Sequence, residues 1–295
     1  MTAAFHKILI PVDFSVGTEI AVKKAVGLIE TENAVIFLLH VVKPRLLRGL
    51  FPMRPRSAVA IRPDGKMNAA GKYTVWKAEK ELNQWKETIE DHVPGIKVYA
   101  SVVKGHSVQD IIVQSANTLQ PDLIIIGKQG NGRRISLLHA PVSPDYIARK
   151  SNCPLLTAKP GSLHSQTKVI VVPVQDFVPE RKLELAILIA KKYRAQVHLV
   201  TIRGNSRRNG SAPSQAFIQT YHQLREKLHH PVEYFSSTIH NPAKATLEYA
   251  EFIMADMILV NPRTESGISS LAGSRHISDL LGRDSKLQVL DVQPY

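Results

Sequence analysis

Six residues whose types suit an anion fall close together in the middle of the sequence. Gly127, Gly130 and Gly132 follow the apolar run Leu123-Ile124-Ile125-Ile126, with Lys128, Arg133 and Arg134 among and just after them. Glycine lets the backbone turn sharply and come close to a ligand. Successive backbone N–H groups in such a loop can close around phosphate, and a helix start or cationic side chains add to the attraction. The same spacing also describes an ordinary turn after a buried strand. On that reading Arg133 and Arg134 are solvated charges on a helix and Lys128 is bulk charge. Asp13, in the stretch KILIPVDFS from Lys7 to Ser15, is the other candidate: a carboxylate just past an apolar run, suited to a ligand or to forming a turn.

Other chemistry finds little support. The twelve histidines show no metal-ligand spacing, and the adjacent His229 and His230 would not share a helix face. Cys153 is the single cysteine, which excludes an intramolecular disulfide; beside Pro154 it reads as a small buried residue entering a strand. No Gly-x-Ser-x-Gly elbow or Gly-x4-Gly-Lys-Ser/Thr loop is present, and Gly105-His106-Ser107 is too fragmentary for a nucleophile. A non-catalytic protein is expected, with weak nucleotide hydrolysis as the most it could do.

The elements that must position these residues follow from hydrophobic period. Ile8-Leu9-Ile10 and Val35 to Val42 read as buried strands; between them Ala21, Ala25 and Leu28, with Val22, Val26 and Ile29, mark a helix that Ser15 or Thr18 can cap. A long basic loop follows, Lys43 to Lys66, with Arg45, Arg48, Arg54, Arg56 and Arg62 against only Asp64. It is a solvated segment, or a lid over an anion. Ala78, Leu82, Trp85 and Ile89 share a helix face, and Ser107 can cap a third helix before the strand at Leu123. A helix to about Lys150 and a strand from Leu155 to Ala158 complete the order β-α-β-α-β-α-β-α-β, which implies a parallel sheet covered on both faces. Ligands of such sheets sit beyond the carboxyl ends of the strands, where the strand order reverses, so Asp13 and Gly127 should face one crevice.

After a polar stretch, Gly161 to Thr167, the order repeats. Lys168 to Val174 echoes KILIPV, Val197 to Ile202 echoes the second strand, and Ala255-Asp256-Met257-Ile258-Leu259-Val260 echoes Pro121 to Ile126. Asn241-Pro242 suits a helix cap and first turn, and Leu287 to Val292 closes the second sheet. The expected domains are residues 1–160 and 167–295, each an open five-stranded parallel sheet of Rossmann-like α/β type with helices on both faces.

These pieces, in this order and twice over, resemble the universal stress protein family in its tandem form. The carriers are KILIPVDFS, His40-Val41-Val42, DLIIIGKQG, and Ser151-Asn152-Cys153-Pro154-Leu155-Leu156. The resemblance implies an adenine nucleotide alpha hydrolase-like fold, a stress-response role, and ATP or another adenine nucleotide as ligand. Members that bind ATP carry Gly, two residues, Gly, nine residues, then Gly and Ser or Thr. By position, the resemblance places adenine and ribose at Pro11, Val12, Asp13 and Val41, and phosphate at Gly127 and Gly130. Ala140-Pro141 stands where the pattern's last Gly and hydroxyl belong, and proline also removes a donor. Ser143 nearby could substitute or cap the next helix. In the second repeat, Gln175 takes Asp13's place unless Asp176-Phe177 does, and Asn261 and Thr264 replace the first two glycines, with Gly273-Ser274 one residue short of the pattern's end. A nucleotide site is expected in the first repeat alone.

The bulk numbers agree with this frame. The chain has 295 residues, 44% hydrophobic and 21% charged, with a net charge of +13, which suits nucleotides, other anions or nucleic acid. Nucleic-acid binding or scaffolding through the basic loop 43–66 is the alternative function. No apolar run approaches the roughly 18 residues a membrane span needs, and Ile8-Leu9-Ile10, broken by Pro11 and Asp13, is too short for a signal peptide. A cytoplasmic protein without a membrane partner is expected, its halves packed as an intramolecular pseudo-dimer that could pair again as a homodimer.

Overall fold

Apolar runs of four to six residues alternating with amphipathic stretches dictate strands buried on both faces and helices that cover them. The computed structural model describes residues 5–30, 32–43, 69–128, 142–163, 166–175, 177–203, 214–238, 241–262, 265, 267–270, 273–282 and 284–294. The first half contains β1 (Lys7–Val12), α1 (Val16–Leu28), β2 (Ala34–Val42), α2 (Ala69–His92), β3 (Ile96–Lys104), α3 (Val108–Leu119), β4 (Leu123–Gly127), α4 (Pro144–Lys150) and β5 (Leu155–Ala158). The second contains β6 (Val169–Pro173), α5 (Glu180–Tyr193), β7 (Gln196–Arg203), α6 (Gln215–Lys227), β8 (Val232–Thr238), α7 (Pro242–Phe252), β9 (Met257–Val260), β10 (Gly267–Ser270), β11 (Gly273–His276), α8 (Ile277–Leu280) and β12 (Gln288–Asp291).

Ten of these strands form one sheet in the order β3-β2-β1-β4-β5-β12-β9-β6-β7-β8. Read inward from either edge, the two halves have the same order. Every neighbouring pair is parallel except β5 and β12, which run antiparallel with Leu156 opposite Leu290. The sequence predicts two five-stranded sheets; the structure joins them edge to edge.

Strand alternation distributes the core. Ile8 and Ile10 face a cluster that crosses the seam to Ile170, Val172 and Leu290, while Leu9 faces a separate cluster with Ile112, Ile124 and Ile147 under α3 and α4. The second half has its own cluster under α7 and α8, with Val171, Ile258 and Val289. The expected caps are in place: Ser15 accepts from Gly17 N, Ser107 from Asp110 N, and Asn241 from Lys244 N. The stretch read as a polar linker is packed at both ends. Ser162 and Thr167 are buried, and a Cβ added at Gly161 would lie 2.0 Å from Asp284 O.

Two local devices recur or fix the crevice. Asp122 Oδ2 accepts from His6 N and Lys7 N, both at 2.8 Å, and Asp256 Oδ2 accepts from Lys168 N at 2.8 Å and Val169 N at 3.0 Å. Each carboxylate thus ties the start of its half's first strand to its fourth. At the other end of β4, Gly127 lies directly on the first turn of α1: a Cβ there would fall 1.6 Å from Gly17 O, and one on Gly17 would fall 2.5 Å from Gly127 O. Glycine is required at both positions for packing.

Asp256 is 4% exposed whereas Asp122 is exposed, so water can replace the lost acceptor only at Asp122. Asp256→Ala should cost about 2–3 kcal/mol in urea denaturation and Asp122→Ala about 1 kcal/mol or less; equal effects would contradict this account. Gly127→Ala should destabilise by about 2–3 kcal/mol through the clash with α1, measured without any ligand, and an unchanged midpoint would refute the packing assignment.

Candidate functional site

Because β1 and β4 are neighbours, the connection after β1 runs to one side and that after β4 to the other, which is where such sheets open a crevice at the carboxyl ends of the strands. Asp13 stands at the mouth. Its Oδ1 accepts from Ser15 N at 3.1 Å, Ser15 Oγ at 2.5 Å and Thr18 Oγ1 at 2.9 Å, and its own N–H donates to Thr18 Oγ1 at 3.1 Å. The carboxylate therefore organises the turn into α1, as the plainer reading has it, and is held rigidly beside the crevice by the same bonds. Phe14 follows with φ of 56°, a conformation bulky residues rarely adopt. Its ring centre lies 4.7 Å from that of His40.

Sequence reasoning passed over His40 and Phe14. His40 Nδ1 lies 2.8 Å from Val12 O, and since a carbonyl only accepts, Nδ1 carries the proton. The available signal was the polar residue near the end of an otherwise apolar strand. Pro11 and Val41 are half-buried at the ends of β1 and β2, while the Val12 side chain is in the core and only its backbone reaches the rim.

Across the crevice, Gly127 closes on Gly17 as described, and Lys128 Nζ forms an ion pair with Asp279 of α8, in the other half. Ser143 caps α4, accepting from Tyr146 N at 3.3 Å. Gly130, Gly132, Arg133, Arg134 and Ala140-Pro141 lie outside the described residues, as does the basic loop beyond Lys43. Asp13, Val41, Gly127 and Lys128 are thus brought to one end of the sheet, with Ser143 one helix start away.

The second half resolves the same place differently. Matching the buried positions Gly17, Thr18, Ile20 and Ala21 of α1 to Lys182, Leu183, Leu185 and Ala186 of α5 puts Lys182 where Gly17 stands. Asn261 follows β9 at the position of Gly127, and Gln175 holds that of Asp13, while Asp176 lies outside the described residues. Lys182 Nζ donates to Pro173 O at 2.5 Å and to Glu265 Oε2 at 2.6 Å, and Asn261 N donates to Glu265 Oε2 at 2.8 Å. The pair is only 3% and 6% exposed, and burial pulls the Lys182 ammonium below its usual range against the opposing pull of Glu265. Gly273-Ser274, which the sequence suggests as the end of a phosphate pattern, pairs instead with Ser270 and Ser269 in an antiparallel hairpin.

One further constellation has catalytic residue types. His276 Nδ1 lies 2.7 Å from Ser278 Oγ, and His276 Nε2 lies 2.8 Å from Asp291 Oδ1. Ser278 N also donates to Nδ1 at 3.1 Å, so His276 is the cap of α8, and Ser278 is wholly buried. Burial pulls the imidazole down in pKa, but the Asp291 carboxylate outweighs it and the net direction is up. The described contacts of this serine are those of a buried helix cap. Cys153 is equally enclosed, its thiol 3.0 Å from Pro121 O and pushed up to about 12 by burial, which makes it inert.

Comparison with known proteins places this geometry. A sequence model of the universal stress protein family matches residues 4–159. Over 164 residues, 54% of this chain and 98% of the relative, the sequence is 30% identical to universal stress protein MJ0577 of Methanocaldococcus jannaschii. The structure of a universal stress protein from Archaeoglobus fulgidus covers 98% of both chains with a TM-score of 0.65 at 19% identity. PA1789 of Pseudomonas aeruginosa, described as functionally unknown, covers 99% of this chain and 93% of its own, with a TM-score of 0.59 at 15% identity. At those identities the structures speak to the fold, which they share along the full length. The family match, spanning more than half of the sequence and including Asp13, His40 and Gly127, carries the assignment: this chain belongs to the universal stress protein family.

Proposed function

We propose that the chain is a non-catalytic stress-response protein whose first half binds an ATP-like nucleotide, or another anionic small molecule, at the ends of β1, β2 and β4. The second half is its structural or regulatory partner. The two correspond to residues 1–160 and 167–295 and pair within the chain as family subunits would between chains. Asp13, with Pro11, Val12 and Val41, would hold the base and sugar, and the backbone from Gly127 onward the phosphates.

The contrast between the halves is the observation that carries this reading. In the second half the position is filled from within: the Glu265 carboxylate takes the N–H of Asn261 and the Lys182 ammonium. An anion supplied by the chain itself occupies the place a ligand's anion would take. In the first half the corresponding positions are Gly17 and Gly127, which bring no side chain. One half is thus self-liganded, while two glycines in close contact and a fixed carboxylate stand at the same position in the other.

Calorimetry at low salt should find one nucleotide per chain, and Asp13→Ala should lower the affinity at least tenfold, about 1.4 kcal/mol. Two equivalent sites, or an affinity indifferent to Asp13→Ala, would sink the placement. The internal pair gives an independent check. Lys182→Met leaves the Glu265 charge buried and alone and should cost about 3–5 kcal/mol in urea denaturation, whereas Lys182→Met combined with Glu265→Gln should recover most of that loss. A double variant as unstable as the single one would count against the ion pair as a self-contained plug.

A further inference from the structure

Lys159 directly follows β5 and is 0% exposed, the largest fully buried side chain described. Among the described residues its Nζ has no hydrogen-bond partner. Burying an amine that carries unmet donors is costly, and more so when it is charged. No hydrogen bond among the described residues accounts for it.

The other half supplies the control. β5 and β12 pair about Leu156 and Leu290, so Lys159 and Gln293 hold corresponding positions past that point. Gln293 Nε2 donates to Ser151 O at 2.9 Å and to Ala148 O, closing the end of α4. A neutral amide therefore meets the structural need at this position. The lysine brings a charge in addition, and a second cation stands beside it. Lys128 N donates to Ala158 O at 2.8 Å, and Lys128 Nζ pairs with Asp279. The charged groups facing Lys159 are Lys128, from the end of β4, and Asp279, from α8. Two lysines against one aspartate leave a positive excess next to Gly127. The Lys128 and Asp279 side chains are 26% and 36% exposed, and a part-exposed pair of this kind exchanges readily for another anion.

We propose that Lys159 and Lys128 form a receptor for the terminal phosphates of the ligand in the first-half crevice, with Asp279 as the stand-in that the ligand displaces. This rests on the reading of the crevice as an anion site and adds that the protein discriminates by the number of phosphates. Burial, then the neighbouring Lys128 charge, lower the Lys159 ammonium to about 8, with Asp279 opposing. An incoming phosphate favours the charged form. Below that pH binding takes up no proton at Lys159; above it a proton must be taken up, so affinity falls as pH rises past about 8. Without ligand the sign reverses: the unfolded chain holds the proton more tightly, so this residue's contribution to stability improves between about pH 8 and 10.4.

The test is titration calorimetry with inorganic triphosphate, ATP and adenosine at pH 7 and 9, together with thermal melting of the free protein. We expect Lys159→Met to lose at least tenfold in affinity for triphosphate and ATP, yet to melt above the wild type. Asp279→Asn should bind triphosphate more tightly, and only proteins that keep Lys159 should weaken between pH 7 and 9. A Lys159→Met protein that melts lower and binds unchanged makes the residue structural and overturns the proposal. ATP binding lost in Asp13→Ala but kept in Lys159→Met removes the lysine pair and leaves the nucleotide site standing. Triphosphate binding that needs Lys159 but gains nothing from adenosine removes the nucleotide reading and leaves the receptor standing. A wild-type protein that binds neither triphosphate nor ATP removes both.

Discussion

The antiparallel pairing of β5 with β12 covers two sheet edges at once and sets where everything else can lie. Each half alone would end in a strand with a row of unpaired N–H and C=O groups, an open template for another chain. Laid edge to edge about Leu156 and Leu290, the two strands satisfy each other and become the centre of a ten-stranded sheet. On one face, the apolar cluster continues across the seam from Ile8 and Ile10 to Ile170 and Leu290. Side chains of the second half also finish the backbone of the first: Gln293 closes α4, and Arg181 Nη2 donates to Asn152 O at 2.9 Å. The halves share a core and hydrogen bonds, so their stabilities are coupled.

Within that common frame the halves have diverged at the place where α/β sheets bind ligands. Among the described residues the first half has Gly17, Gly127 and the Asp13 carboxylate there; the second has a buried Lys182–Glu265 pair. A buried ion pair adds little net stability compared with a packed apolar alternative. Its effect here is to give the Asn261 N–H and the Lys182 ammonium one shared acceptor in the chain's own Glu265 carboxylate. Strand ends at a reversal of order leave donors that must meet something, and in the second half the Asn261 N–H meets the Glu265 carboxylate.

Unmet polar atoms also mark the seam. Among the described residues, Thr157 Oγ1, Lys159 Nζ, Gln288 Oε1 and Asp291 Oδ2 are buried without a hydrogen-bond partner, and all belong to, or directly follow, β5 and β12. In a core otherwise satisfied by simple repetition, such as the paired Asp122 and Asp256 devices, polar groups without partners concentrate where the two halves are no longer alike. Sequences depart from local consistency chiefly where function or assembly asks for it.

Much of the architecture was legible in the sequence, because hydrophobic period and repetition are local and need no partner. Runs such as Leu123 to Ile126 could only be buried strands, Ser15, Ser107 and Asn241 announced their helices, and the KILIPV and KVIVVPV echoes fixed two similar units. The presence of Gln175 at the position of Asp13, and of Asn261 at that of Gly127, could also be read there, since the echo of one repeat in the other depends on residue type and order. What the sequence could not settle was which of two uses a residue serves. Asp13 as turn former, Gly127 as a close contact for Gly17, Ser143 as a cap and Lys128 as a partner of Asp279 were decided by neighbours far away in the chain. The single continuous sheet, the Lys182–Glu265 plug and the isolation of Lys159 belong to tertiary structure alone. Each depends on which residues the β5–β12 seam and the helix packing bring within hydrogen-bond reach, or leave out of it.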